Sequence, residues 1–319
     1  MNFEVPILLI GYNRPTIFEK TLFRILQTKP KNLYISLDGP SVNKLNDLEN
    51  CLKVREIVNN IDLPNCAIHL KVSEINLGCK DGPTSAIDWF FSEVEQGIIL
   101  EDDCFPSLSF FTFCEELLQK YLDEDRISHI SGTNFQHGIW RGTSSYYFSQ
   151  HSNIWGWATW RRAWKDFDIS MKHFETSPIF LKNKQKIPFA LMQDVFKGSN
   201  DIWDIQWYYT NYLHERLTII PNINLVQNLG FGDSGTHTFG KIYSYISRTP
   251  NGELLFPLKH NEKINPNKSA DNLVSFKVFG NNNLGKYSKK FYYFFIIFHR
   301  FVTKLKLKYI FKAPFKINY

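Results

Sequence analysis

Residues 5–10, Val-Pro-Ile-Leu-Leu-Ile, are apolar at every position. An unbroken apolar run reads as a strand buried on both faces, where strict alternation would mark one wet face. Pro15 then opens a helix, because the proton its nitrogen lacks has no partner in a first turn. Phe18, Leu22, Ile25 and Leu26 recur behind it at helical spacing. Residues 32–37 form a second apolar run that ends on Asp38-Gly39-Pro40, a turn signal. The pattern continues with a helix at 48–58, a strand at 67–72, and a break at Gly78 and Gly82-Pro83 before a helix at 84–94. A fourth strand at 97–100 leads straight into Glu101-Asp102-Asp103. A helix at 109–121 and a strand at 127–131 complete the regular half. Strands that alternate with helices predict an α/β fold, a mostly parallel sheet flanked by helices with right-handed crossovers. Ligands of such sheets bind beyond the carboxyl ends of the strands. Asn13-Arg14, Asp38 and the acidic triplet all fall at that edge.

Beyond residue 131 the periodicity weakens. Trp and Gly are frequent from 132 to 240, and an irregular half that shares the first half's core is expected there. Residues 254–284 read as loop. With 43% hydrophobic and 16% aromatic residues in 319, the chain has ample material for a large core and is not a disordered one. The net charge of +6 conceals an asymmetry. Residues 286–319 hold nine of the 37 Lys and Arg and no acid, which leaves 28 bases against 31 acids elsewhere. An anionic partner is therefore expected for the tail alone. Residues 291–298 are apolar or aromatic throughout and flanked by basic residues, as suits an interfacial helix on an anionic membrane. The alternative is a core helix with a solvated basic face. A mildly acidic body argues against nucleic acid as the main partner.

The five cysteines, Cys51, Cys66, Cys79, Cys104 and Cys114, are odd in number and form no C-x-x-C pair. Neither a disulfide framework nor a zinc ribbon fits, and a reducing compartment is the simple expectation. The first residues lack a basic leader, and no stretch reaches the roughly 18–20 apolar residues of a membrane span. The expected location is cytoplasmic, with the tail peripheral on the inner face of the plasma membrane.

The triplet Glu101-Asp102-Asp103 is the strongest chemical feature. Adjacent carboxylates repel one another, and a hard cation such as Mg2+ or Mn2+ is the natural compensation. A solvated acidic turn is the plain alternative, made less apt by the buried strand before it. Gly11-Tyr12-Asn13-Arg14-Pro15 places a flexible turn and a guanidinium at a helix start, where a nucleotide's anionic groups bind. Gly78 and Lys80 lie in Asn76-Leu77-Gly78-Cys79-Lys80-Asp81, and Lys80 is a candidate diphosphate contact. The segment 154–160 is Ile-Trp-Gly-Trp-Ala-Thr-Trp. Trp160 and Trp164, at helical spacing, are expected in the core, whereas Trp155 and Trp157, around a glycine, are candidates for a pocket wall. Asp204, between aromatics in Trp203-Asp204-Ile205-Gln206-Trp207, is a candidate general base, since burial would raise its pKa. The glycine-rich stretch 230–237 carries Asp233, a candidate pocket residue, and His237, a candidate metal ligand or phosphate contact.

In this order the motifs resemble those of GT-A glycosyltransferases, in particular N-acetylglucosaminyltransferase I and its bacterial relatives, over roughly residues 4–240. The resemblance implies a Rossmann-like nucleotide-diphospho-sugar transferase fold. Residues 1–253 would form it, with a nucleotide-sugar half at 1–131 and an acceptor half at 132–253. A connection at 254–285 and an amphipathic helical tail at 286–319 would follow. It also implies that Asn13, Arg14 and Asp38 hold a uridine nucleotide, with Asp38 on the base. Asp103 would bind Mn2+ or Mg2+ at the diphosphate, and Glu101 and Asp102 would touch ribose or donor sugar. Asp204 would be the base of an inverting transfer. The partners implied are a UDP-sugar donor and a glycan or lipid-linked acceptor, as in surface polysaccharide or glycolipid synthesis. The chain departs from the relative in lacking a Golgi anchor and in reading Ile205 where the relative has a second acid. A sugar nucleotidyltransferase shares such a fold but needs a denser basic loop than Asn13-Arg14-Pro15. A non-catalytic binding protein would have no need of both Asp103 and Asp204.

Overall fold

The computed structural model describes residues 3–230 and 249–279. The apolar runs form the middle of one sheet. Strand β1 (Ile7–Gly11) pairs in parallel with β2 (Asn32–Leu37) on one side and β4 (Gln96–Glu101) on the other, and β2 pairs in parallel with β3 (Ala67–Val72). Helices α1 (Pro15–Leu26), α2 (Asp47–Asn59) and α3 (Gly78–Glu93) make the crossovers. A short β5 (Cys104–Pro106) and α4 (Leu108–Lys120) follow β4. The second half adds β6 (Ile127–Ser131), β7 (Tyr146–Ser149), β8 (Trp157–Trp160), α5 (Arg161–Trp164), α6 (Pro178–Asn183), α7 (Phe189–Phe196), α8 (Asp204–Leu213), β9 (Leu217–Pro221), β10 (Val226–Asn228) and α9 (Lys268–Lys277). Eight strands share one sheet in the order β3-β2-β1-β4-β8-β6-β9-β7, and β5 pairs antiparallel with β10 beside it.

Alternate residues of the central strands serve two separate cores, as strands buried on both faces must. Ile7, Leu9, Leu33, Ile35, Ile98 and Leu100 pack with Phe18 and Leu22 of α1, Val54 of α2 and Phe110 of α4. Leu8, Tyr34 and Ile99 pack on the other face with Ala86, Ile87 and Phe90 of α3 and with Trp157 and Trp207. Crossovers α1 and α2 step to one side of β1, and α3 returns past it on the opposite face to reach β4. The order therefore reverses between β1 and β4. That is the switch point at which a crevice opens beyond the strand ends.

Three features depart from the expectations. The β8 strand inserts antiparallel between β4 and β6, so the sheet is mixed although the strands β3-β2-β1-β4 are parallel. Helix α3 begins at Gly78, not at residue 84. Pro83 forfeits one intrahelical bond near the helix start, and the Asp38 carboxylate offsets the loss by binding the backbone N–H of Leu77 and Gly78 at 2.9 and 3.2 Å. The segment expected to be loop carries α9. Before that helix the chain lines the outer edge of β7, with Ser145 N–H donating to Lys259 O at 2.8 Å and Asn267 N–H to Phe148 O at 2.7 Å. The α9 helix is then held by buried Asp271, which accepts from Ser149 Oγ at 2.6 Å. Among the described residues no helix is long and apolar enough to cross a membrane. The tail, 286–319, lies outside the described residues.

Candidate active site

At the switch point Arg14, half-buried at the start of α1, meets the acids that end β4. Its guanidinium donates to Asp102 Oδ1 through Nη2, and to Asp103 Oδ2 through Nη1 at 3.0 Å. Asp102 has 3% of its side chain exposed and Asp103 14%. Burial alone would push the Arg14 pKa down, but Asp102 and Asp103 together raise it above its ordinary value. Burial raises the carboxyl pKa of Glu101, and Asp103 and Asp102 raise it further. Burial also raises Asp102, against the pull of Arg14. One guanidinium thus answers three carboxylates, and the site retains excess negative charge.

Neighbouring elements fix this cluster. Thr21 Oγ1, about two turns along α1, donates to the Asp102 carbonyl at 2.7 Å. Beyond β10 the chain folds over Asp103: Leu229 N–H donates to Asp103 O at 2.7 Å, and Gly230 N–H to Asn228 Oδ1 at 2.7 Å. A Cβ on Gly230 would stand 2.5 Å from Asp103 Oδ2, 3.0 Å from Asn228 Oδ1 and 3.2 Å from Arg14 Nη1, so any side chain there must displace the Asp103 carboxylate. Asn228 and Thr21 were not foreseen. Neither has a motif: the packing of α1 on the end of β4 shows the role of Thr21, and the return of β10 to β5 that of Asn228.

The other candidates fall into different places. Asn13 points its amide nitrogen at Asp47 Oδ1. Asp38 is half-buried with all four acceptor positions of its carboxylate filled. Gly39 N–H and Leu77 N–H bind Oδ1, and Asn76 Nδ2 and Gly78 N–H bind Oδ2, at 2.8–3.2 Å. A carboxylate offers about four lone-pair sites, so Asp38 is a helix anchor and not a free acceptor for a base, against expectation. Gly78 has φ +81°, a backbone conformation that disfavours any side chain, and Asp201 approaches it. Lys80 sits half-buried in the first turn of α3 and has no ion-pair partner among the described residues.

Asp204 opens α8, half-buried. Burial raises its pKa, the backbone N–H groups of its own helix start only partly opposing. Its charge is near enough to Glu101 to add to the factors that raise the latter. Asp204 and the triplet are thus linked electrostatically. Trp155 is half-buried and meets Phe135 edge-on at 5.6 Å between ring centroids. Trp157 is not a pocket wall. It is 1% exposed in β8 and stacks on His129 at 4.9 Å and Trp203 at 6.0 Å. Trp155 lies before β8, and Gly156 between the two, at φ +63°, breaks the strand path, so Trp155 and Trp157 need not share a face. Trp160 and Trp164 are buried, as expected. Asp233 and His237 lie outside the described residues.

The residues present suit a divalent cation. Glu101 Oε1 and Asp102 Oδ2 are buried with no hydrogen-bond partner among the described residues, and buried orphan carboxylate oxygens call for a proton or a cation. Among the described residues no three His, Cys, Asp or Glu side chains are grouped as a complete metal site. One or two carboxylates plus substrate phosphates is the usual set for Mg2+, and that number is available.

No family model matches the chain, and no curated protein matches it. Among solved structures it is similar to the inositol-1-phosphate CTP transferase from T. maritima, at 9% identity and TM-score 0.35, over 80% of this chain and 99% of that one. It is also similar to mouse xyloside xylosyltransferase 1 in its apo form, at 11% identity and TM-score 0.33, over 65% and 81%. A cytidylyltransferase from Leptospira borgpetersenii matches at 14% identity and TM-score 0.31, over 59% and 74%.

Proposed function

We propose that the chain is an inverting glycosyltransferase of the GT-A type that moves a sugar from a nucleotide-diphosphate donor, a UDP-sugar, to an acceptor hydroxyl. The observation that carries the reading is the Arg14–Asp102–Asp103 cluster at the switch point, with Asp204 linked electrostatically to the adjoining Glu101. Departure of a nucleoside diphosphate leaves negative charge on phosphate oxygens. Arg14, fixed in place before the reaction begins, is a donor preorganised for that charge. Asp103 would hold Mn2+ or Mg2+ together with substrate phosphates, with Asp102 and Glu101 toward ribose or donor sugar, and the ion would supply electrostatic stabilisation of the diphosphate when bound. Asp204, with its pKa raised toward neutrality by burial, takes the acceptor hydroxyl's proton as attack begins. Attack from the face opposite the diphosphate converts an α-linked donor into a β-glycoside. Lys80 adds a point charge at the α3 start, and Trp155 offers an aromatic face to a sugar.

The basic, aromatic residues 286–319 favour a lipid-linked or other glycan acceptor at an anionic membrane surface, in surface polysaccharide or glycolipid synthesis. Two measurements test the reading. A thermal-shift screen of nucleoside diphosphates and nucleotide sugars should show stabilisation that needs Mn2+ and vanishes in Asp103→Ala, since a ligand of the native state raises Tm by mass action. Product analysis should then show nucleoside diphosphate released from a nucleotide sugar. Pyrophosphate released from a nucleoside triphosphate and a sugar phosphate would establish a sugar nucleotidyltransferase instead. No shift with any nucleotide would leave a non-catalytic protein.

A further inference from the structure

We infer that Asp47, at the start of α2, is a positioning residue that makes the site select a whole nucleotide over a bare diphosphate. This inference rests on the glycosyl-transfer reading. Asp47 is 2% exposed and belongs to none of the motifs that suggest the site. Its carboxylate collects three donors from two loops. Tyr12 OH and Ser41 N–H each donate to Oδ2 at 2.5 Å, and Asn13 Nδ2 donates to Oδ1. Tyr12 and Asn13 belong to the β1–α1 loop that ends in Arg14. Ser41 belongs to the loop that leaves β2 after Asp38, a residue whose own backbone N–H is tied to Gly11 O at 3.0 Å. Asp47 is thus a single buried group that fastens the loop after β1 to the loop after β2.

These are neighbouring strands whose carboxyl ends border one crevice, and the two loops differ in what they face. The β1 loop presents Arg14 to the metal-diphosphate position. The loop after β2 lies one strand further from the β4 triplet, on the β3 side, about 5 Å beyond the loop after β1 by the spacing of neighbouring strands. A nucleoside diphosphate must contact both loops at once, whereas pyrophosphate needs only the first. Fixing the distance between the loops therefore favours the longer ligand and is neutral toward the shorter one. The hydrogen-bond chemistry also specifies the residue. Ser41 N–H can only donate, and Tyr12 OH and Asn13 Nδ2 donate here, so a carboxylate satisfies all three. In Asp47→Asn the Ser41 tie opens if the NH2 takes the Oδ2 place, and otherwise the ties lose their charge assistance and weaken, while size and shape are kept.

The test uses the full chain with Mn2+. Affinities are measured by calorimetry for pyrophosphate and for the tightest binder among UDP, GDP, ADP and CDP, well below the melting temperature of each variant. Asp47→Asn should weaken the nucleotide by about tenfold, the worth of one or two net hydrogen bonds, and leave pyrophosphate within about twofold. Should Asp47→Asn fail to fold, Tyr12→Phe removes one tie and must shift the same ratio in the same direction. A variant that loses both ligands in equal proportion, or neither, overturns the inference, because general destabilisation leaves the ratio unchanged. A wild-type chain that binds no nucleotide refutes the glycosyl-transfer reading itself. A wild-type chain that binds both ligands, with the variants keeping its ratio, refutes the Asp47 role alone.

Discussion

Replacing Arg14 by methionine keeps the bulk of the side chain and removes its charge. Asp102, with 3% of its side chain exposed, would then face Glu101 and Asp103 without a cation. Breaking a buried pair from one side costs about 3–5 kcal/mol. The carboxyl can escape by taking up a proton, at about 1.4 kcal/mol for each pH unit above an ordinary Asp pKa near 4. That work caps the penalty at about 5–6 kcal/mol near pH 8 and about 2 kcal/mol near pH 5.5. The sign follows from burial, which already lifts the folded-state pKa of Asp102 above its unfolded value. Loss of Arg14 lifts it further. Protonation therefore favours the folded variant, which is penalised at high pH and regains stability as pH falls toward the unfolded pKa. Urea unfolding followed by tryptophan fluorescence reads this directly. Arg14→Met should lose about 3–5 kcal/mol near pH 8 and at most about 2 kcal/mol near pH 5.5. A loss near pH 8 of no more than about 1 kcal/mol, the range of an exposed ion pair, refutes the reasoning, as does a loss that is the same at both pH values.

The site's glycine offers a second perturbation: Gly230→Ala puts a methyl group 2.5 Å from Asp103 Oδ2 and should cut turnover about 100-fold with the urea midpoint unchanged. Wild-type turnover in that variant would mean the chain after β10 yields. His129 is buried neutral, with Nδ1 accepting from Trp207 Nε1 at 3.0 Å and its pKa pushed down to about 3 by burial. The unfolded chain binds that proton near pH 6.5 and the folded chain does not, so stability should fall by about 1.4 kcal/mol per unit as pH drops from 6.5 toward 3. His129→Gln should flatten that slope between pH 6.5 and 5, and an unaltered slope would assign it to other groups. Trp157→Ala should cost about 3–5 kcal/mol as a core truncation. The half-buried Trp155→Ala should cost less than Trp157→Ala, and a reversed order in urea would contradict their assigned positions.

The first half was legible because its signals are local. The runs 32–37, 67–72 and 127–131 match strands residue for residue; 32–37 is buried along almost its whole length, whereas 67–72 is a half-exposed edge strand. Arg14 and the acidic triplet were legible as strand-end residues, and the switch point brings them together. What was missed depends on distant contacts. Pro83 marks a helix boundary on its own, and it is the reach of Asp38 from β2 that lets α3 start at Gly78. The four residues of β8 are too few to show strand periodicity among tryptophans that serve equally well in a pocket. Asp38 matched a motif, yet its four partners come from residues up to forty positions away, and they use the acceptors a base would need. Asp47 and Asn228 have no local signature because they act on residues distant in sequence, Tyr12 and Asn13 for the first and Asp103 for the second.

The position of β8 governs the order in which this chain can be completed on the ribosome. Strand β4 emerges early, but the neighbour that covers its free edge is residues 157–160, with the antiparallel register Ile98 to Ala158. Until that segment has been synthesised, at roughly 5–20 residues per second, Ile98 and Ile99 present an unpaired apolar ladder for several seconds. Such an edge invites pairing with another nascent chain. A fragment ending after β6 would keep that edge open permanently, so slow translation or premature termination between residues 101 and 157 should show as aggregation in expression hosts, relieved by chaperones that hold nascent chains.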